Sequence, residues 1–423
     1  MSTTFTEASG IEAQDFIDDF HRTWEFGATS HDGVDRQAGT KPHGQLRDWF
    51  SAQARAAGFE VRIDPIGNVF ALLDFVDGAD YVLTGSHLDS QPLGGRFDGC
   101  YGVIAALHAA IEIKKRVEAG QMEPKYNLAV VDWFNEEGAR FAPSIMGSSV
   151  MCGLFDLEET LSIKDAQGIT VKEALESIGY LGSDEAPSVA AYAEIHIEQG
   201  RLLERNATAI GAVTQSWYTQ KLYVDVIGEQ SHTGATIMKD RHDALPAAAM
   251  LVLKTEQVVE EFEPEQIVTS VGQFDVEPNS PIVVPREVKL VIDLRAHRRA
   301  DVEKAREILV DYCEEVARAR DITIEARDFD IRDHQVYPED GVELTEKAAA
   351  NTGISCMRIE TMAGHDSVAV NRISPTVMTF VPSEGGVSHC EREFTSDEDL
   401  VNGLVVHTEI ISRLLDGELD HLK

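Results

Sequence analysis

The stretch GSHLDSQPLGGRFDGCYG, residues 85–102, decides the fold, because a strand, a loop and a helix meet in it. It opens on the end of YVLTGSH (81–87), a short run whose length and apolar content predict a β-strand. It crosses a loop with glycines at 94, 95 and 99, and hands over to GVIAALHAAIEIKKRVEAG (102–120). That segment has helical periodicity and closes on Gly120 as a C-cap. Polar groups gather where the strand ends. His87 and Asp89 stand two residues apart, so their side chains point the same way, and Asp98 follows in the glycine-rich loop. Asp89 is expected to accept a hydrogen bond from the His87 ring N–H, fixing its tautomer and leaving the other nitrogen free for a metal ion. The glycines let the backbone turn tightly around whatever Asp98 holds. A lone histidine is more often structural than ligating; His87 becomes a candidate ligand through its company.

Outward from this unit the same grammar repeats. NVFALLDF (68–75), YNLAVVDWF (126–134) and AYAEIHI (191–197) read as further strands, and their alternation with helical segments predicts an α/β fold. The expected sheet is mostly parallel with helices on both faces. From about Lys221 the order becomes β-α-β-β-α-β. KLYVDVIG is followed by the helical DRHDALPAAAMLVLKTEQVVEEF, interrupted by Pro246. The strands QIVTSVGQFDV and EVKLVIDLRA, the helix DVEKAREILVDYCEEVARARD and the strand ITIEARDF complete it. That is the pattern of a ferredoxin-like α+β domain. Beyond about Phe329 the helix–strand character returns, with PTVMTFVP (375–382) as a buried strand. The expected organisation is a discontinuous catalytic domain, 1–212 and 330–423, carrying an inserted domain, 213–329.

Composition narrows the function. At 423 residues, two domains are the natural expectation. No stretch reaches the roughly 20 consecutive apolar residues that span a bilayer. The N-terminal MSTTFTEASGIEAQDF lacks the basic start and apolar run of a secretory signal, so a cytoplasmic location is expected. Five scattered cysteines, never spaced as CxxC, suit a reducing compartment. Cys100 and Cys390, although near candidate ligands, are read as bystanders. Against 37 Lys and Arg stand 73 Asp and Glu, a net charge of −36, which repels nucleic acid and anionic membranes. Most of that charge is a solvated surface, and an anionic substrate would need a local positive cluster.

Three more segments carry chemistry. DWFNEEGARF (132–141) follows a strand and sets Glu136 beside Glu137, two carboxylates that repel one another unless a cation lies close. One can bind metal while the other handles protons. AEIHIEQG (193–200) holds His196 between Glu194 and Glu198, and GGVSHCEREFT (385–395) holds His389 just past a strand. Every candidate therefore lies at or near the C-terminal end of a predicted strand, where open α/β sheets build their sites. His87, Asp98, Glu137, His196 and His389 are five protein ligands. With one bridging carboxylate they make two sites of three ligands each. Mixed histidine and carboxylate donors without thiolate suit zinc, with manganese or cobalt as substitutes.

These four segments resemble the metal-binding motifs of the M20 metallopeptidase family. Within it they are most similar to the branch of N-carbamoyl-L-amino acid hydrolases, β-ureidopropionases and allantoate amidohydrolases, over nearly the whole chain. The resemblance implies that Asp98 bridges two divalent ions, with His87 and His196 completing one site and Glu137 and His389 the other. It implies that Glu136 is the general base toward a metal-bridging hydroxide and returns the proton to the leaving nitrogen. Gln199 is implied as a contact to the substrate's ureido or amide group. His232, in SHTGATIM, is implied as the histidine that stabilises the oxyanion. Asn279 in EPNSPIVVP and Arg295 in IDLRA are implied as holders of the substrate carboxylate, and Gly364 and His365 in AGHDSVAV approach the substrate. The insert is implied to be a dimerisation and lid domain, which makes the chain a homodimer with a hinge. The family string PNAINVIP is PNSPIVVP here, and TIM replaces TPM after SHTGA; both departures bear on substrate choice and neither touches a metal ligand.

The function expected is hydrolysis of the C–N bond of an N-carbamoyl amino acid, N-carbamoyl-β-alanine being one candidate. The alternatives are an aminoacylase or dipeptidase of the same superfamily, and a non-catalytic metal-binding protein that kept the fold.

Overall fold

In a computed structural model, which describes residues 12–422, the apolar runs of the first half become strands of one eight-stranded sheet. Residues 1–11, which carry most of the N-terminal stretch read above, lie outside the described residues. The strands are β1 (Glu60–Ile63), β2 (Val69–Leu73), β3 (Tyr81–His87), β4 (Asn127–Trp133), β5 (Val189–Ile197) and β6 (Ile210–Ser216). Those of the insert are β7 (Tyr218–Ile227), β8 (Ser231–His232), β9 (Ile267–Glu277), β10 (Val283–Val284), β11 (Glu287–Ala296) and β12 (Thr323–Arg332); β13 (Cys356–Thr361) and β14 (Thr376–Val381) follow it. The large sheet runs β1-β2-β4-β3-β5-β14-β6-β13. Its centre, β4-β3-β5-β14, is parallel, whereas β1–β2, β2–β4 and β14–β6 pair antiparallel.

Both faces of the sheet from β2 to β14 are covered, which is why these strands read as unbroken apolar runs. Val69, Ala71 and Leu73 of β2 join the larger core with the helices Cys100–Glu118 and Asp397–Leu415. Phe70 and Leu72 point the other way, to a second cluster with Leu83, Val131, Trp133 and Tyr192. Beneath the strand ends lies a fully buried ion pair, Arg47 Nε to Asp132 Oδ2 at 2.7 Å. The other Asp132 oxygen accepts from the Leu88 N–H at 2.9 Å, fixing the chain between His87 and Asp89.

The chain divides at Gln215/Ser216 and Gln335/Val336, a few residues beyond the 212/213 and 329/330 boundaries expected from sequence. The inserted unit, Ser216–Gln335, has its own sheet of order β12-β7-β11-β9, all antiparallel, the order of a ferredoxin-like sandwich. Leu222, Val224 and Val226 of β7 and Leu290, Ile292 and Leu294 of β11 face its two helices, Ala244–Gln257 and Arg299–Arg320. The first of these begins at Ala244, capped by the Asp243 side chain, and not at Asp240. Pro246 then falls in the first turn, where no intrahelical N–H is required. In addition β8 and β10 form a two-stranded ribbon that pairs His232 with Val283.

Candidate metal centre

Four neighbouring parallel strands deliver the candidate residues to one edge of the sheet. β3 ends at His87, β4 leads into Glu136 and Glu137, β5 carries His196, and the chain leaving β14 reaches His389. Asp98 stands at their centre. Its Oδ1 lies 3.4 Å from His87 Nε2 and 3.1 Å from His196 Nε2, while its Oδ2 lies 3.3 Å from His389 Nε2. His389 Nε2 is also 3.4 Å from Glu137 Oε2. Two groups result, His87–Asp98–His196 and Asp98–Glu137–His389, and within each the ligand atoms lie within 4.8 Å of one another.

The ring orientations fit a cation. His87 Nδ1 meets the Asp89 carbonyl at 3.0 Å, and His196 Nδ1 meets the Ile197 carbonyl at 2.9 Å. A carbonyl accepts only, so in the neutral ring each Nδ1 carries the proton and each Nε2 turns a lone pair to Asp98. The Gly99 N–H, 3.0 Å from His196 Nε2, also treats that atom as an acceptor. Lone pairs and carboxylate oxygens converging on one point suit a divalent ion with histidine and carboxylate donors. Gly99 has φ +63°, and a Cβ there would overlap the His87 ring.

The acidic groups press on one another. Burial, reinforced by Glu137 and Asp98 against the pull of His87, pushes Glu136 up to about 8. Burial and Asp98 raise Glu137 in the same direction. Burial works against a charged His389, yet Glu137, Asp98 and Glu393 outweigh it and push the ring up to about 10. Asp98 is buried too, but the histidines hold it well below the usual carboxylate range.

Asp89 differs from expectation. The His87 ring binds its backbone carbonyl, and its carboxylate stands 3.8 Å from Nδ1. That carboxylate accepts instead from the Glu136 and Glu137 N–H groups, at 3.3 and 3.4 Å, and so anchors the paired-glutamate loop. Neither glutamate beside His196 joins a ligand group. Glu194 is buried and accepts from Ser86, Tyr192 and the Ser367 N–H, whereas Glu198 accepts from the Leu202 and Leu203 N–H groups. Asn135, Gln199 and His389 all have positive φ, between +55° and +59°. This left-handed backbone costs about 1–2 kcal/mol per residue, and nothing in the sequence patterns marked it.

Gln199 turns its amide Nε2 to Asp98 Oδ2, 3.1 Å from Ser388 Oγ and 3.4 Å from His389 Nε2. His365 follows Gly364 and is enclosed by His196, at 4.6 Å between ring centroids, and by Phe380 and Thr361, so its ring backs a candidate ligand. His232, Asn279 and Arg295 belong to the inserted unit. His232 Nδ1 receives the N–H groups of Gly234 and Ala235 at 3.0 and 3.1 Å, which leaves its ring proton on Nε2. Arg295 grips Asp293, two residues back on β11, in bonds of 3.1 and 2.8 Å. Asn279 is exposed in the loop after β9. Glu393, which no sequence pattern marks, is almost completely buried behind Asp98, and burial pushes it up to about 7.

The model of Peptidase family M20/M25/M40 matches residues 83–413, and the chain belongs to that family. It is 48% identical over 413 residues to a Mycolicibacterium smegmatis protein provisionally named a hydrolase, covering 96% of this chain and 94% of that one. An allantoate amidohydrolase of Bacillus subtilis is 31% identical, over 92% and 95% of the two chains. An N-carbamoyl-L-amino-acid amidohydrolase of Rhizobium meliloti is 34% identical, over 86% and 88%. Among solved structures, an amidase of the hydantoinase/carbamoylase family from Burkholderia vietnamiensis superposes with a TM-score of 0.91 at 33% identity, over 95% and 97%. The chain is thus a hydrolase of the amidohydrolase kind, built on a mixed α/β catalytic fold.

Proposed function

We propose that the chain hydrolyses the C–N bond of an N-carbamoyl amino acid, using two divalent ions, zinc first and manganese or cobalt as substitutes. His87, Asp98 and His196 would hold one ion, and Asp98, Glu137 and His389 the other. The observation that carries this reading is the Asp98 carboxylate, which offers one oxygen to each ligand group. The relatives named for allantoate and for N-carbamoyl-L-amino acids support a ureido substrate.

When bound, the ions supply polarisation of the substrate carbonyl and a more acidic water. The chain's own groups do the rest. Glu136 belongs to neither ligand group, and its Oε2 lies 3.6 Å from His87 Nε2. Its high proton affinity suits it to take the proton of the attacking water and pass it to the leaving nitrogen. The amino acid leaves with that nitrogen, and the carbamate half breaks down to CO2 and ammonia. Gln199 binds the ureido group, His232 donates a hydrogen bond from its Nε2–H to the oxyanion, and Asn279 and Arg295 hold the carboxylate. Gly364 and His365 line the substrate's approach. We place the enzyme in the cytoplasm, where five free thiols persist. No helix among the described residues is long and apolar enough to cross a membrane. The inserted unit is assigned to pairing two copies and to covering the substrate; sedimentation of the purified chain at twice the monomer mass supports the pairing, and monomer mass refutes it.

A substrate panel tests the reaction. Ammonia release from N-carbamoyl amino acids, N-carbamoyl-β-alanine included, is the expected result. Release of a free amino acid from N-acyl acids or dipeptides alone, without ammonia, would move the protein to the aminoacylase or dipeptidase side. No turnover of any of these compounds by the metal-loaded chain would overturn the N-carbamoyl reading.

A further inference from the structure

Glu393 lies four residues past His389, at the far end of the same loop, and its buried carboxylate ties two distant pieces of chain together. Oε1 accepts from the backbone N–H groups of Phe97 and Asp98, each at 3.0 Å. Oε2 accepts from Ser388 Oγ at 2.7 Å and from the His389 N–H at 3.3 Å. The Glu393 N–H donates to the Cys390 carbonyl at 3.0 Å, which closes the loop on itself. The side chain sits where Gly95 makes room, because a Cβ at that glycine would overlap the carboxylate.

A buried carboxylate surrounded by donors is often only a satisfied structural group. The identity of these donors argues for more. Two of the four are the amides of Asp98 and His389 themselves, residues separated by 291 positions that both face the second ligand group. A third, Ser388 Oγ, lies 3.1 Å from Asp98 Oδ2, the oxygen that faces His389 Nε2. Glu393 therefore sets the distance between an oxygen and a nitrogen that must meet one ion. Groups that orient ligands in this way contribute roughly 10- to 100-fold to metal affinity.

We infer that Glu393 is a positioning residue for the ion held by Asp98, Glu137 and His389, an inference that rests on the two-ion reading above. Glu393→Gln keeps the shape. Its amide oxygen still serves Phe97 and Asp98, while its NH2 confronts the His389 N–H. Glu393→Ala removes both sides of the tie.

Zinc is titrated into the purified, metal-stripped full chain against a chromophoric chelator, and the melting temperature of each stripped protein is recorded. Wild type is expected to bind two ions. Glu393→Gln is expected to bind one as wild type does and the other roughly 10- to 100-fold more weakly, with an unchanged melting temperature when stripped. Glu393→Ala is expected to weaken both. Where Glu393→Ala does not fold, Glu393→Gln decides alone. Two ions bound by Glu393→Gln at wild-type affinity would overturn the inference, as would equal weakening of both ions in Glu393→Gln with a lower melting temperature of that stripped variant. A wild type that binds fewer than two ions would overturn the two-ion reading first.

Discussion

Glu136 and Glu137 are neighbours in the chain with different partners. Glu137 faces His389, whereas Glu136 faces His87 and belongs to no ligand group. Replacing Glu136 with Gln keeps the shape and removes the proposed proton acceptor. Turnover of a verified ureido substrate is expected to fall by about 10²–10⁴-fold, with zinc stoichiometry unchanged; unchanged turnover would exclude it as the base. At this scale the grouping of the candidate ligands was legible, because His87 and His196 sit in the last residues of their strands and Asp98 and His389 in the loops beyond, each in a short, distinctive string. The role of Asp89 was not. Whether its carbonyl or its carboxylate meets His87 depends on the path of the loop backbone, which residue spacing does not give. Glu393 was hidden for a related reason, since its partners Phe97 and Asp98 are some three hundred residues away in sequence.

Among the elements, the helix Asp397–Leu415 packs on the parallel strands and buries His407, whose Nε2 lies 2.8 Å from Thr84 Oγ1 of β3. Burial lowers this ring to about 3, whereas in the unfolded chain it titrates near 6.5. Between those values the unfolded state holds a proton that the folded state refuses. The stability this neutral ring permits is complete above about pH 6.5 and is lost as pH falls toward 3. Urea unfolding between pH 7.5 and 5 is expected to show a smaller loss for His407→Gln than for wild type; parallel losses would assign the acid sensitivity elsewhere. The central strands were readable because both faces are buried. The outer strands β1 and β13 were not named, since they are half-exposed and present no unbroken apolar run. Helix starts depend on caps, and the start at Ala244 was set by Asp243 and by the position of Pro246.

The whole molecule carries a net charge of −36, and like charges over a folded surface repel. At about 10 mM salt the screening length is about 30 Å, so much of that repulsion is felt; near 1 M it shrinks to about 3 Å. The melting temperature is therefore expected to rise with sodium chloride across this range, and a flat or falling curve would show that the acidic surface is already compensated. In the proposed centre Asp98 stands between two cations. Crystals grown with zinc and measured at its absorption edge test that directly. Two anomalous peaks are predicted, one against His87, Asp98 and His196 and one against Asp98, Glu137 and His389. A single peak, or peaks away from these residues, would contradict it.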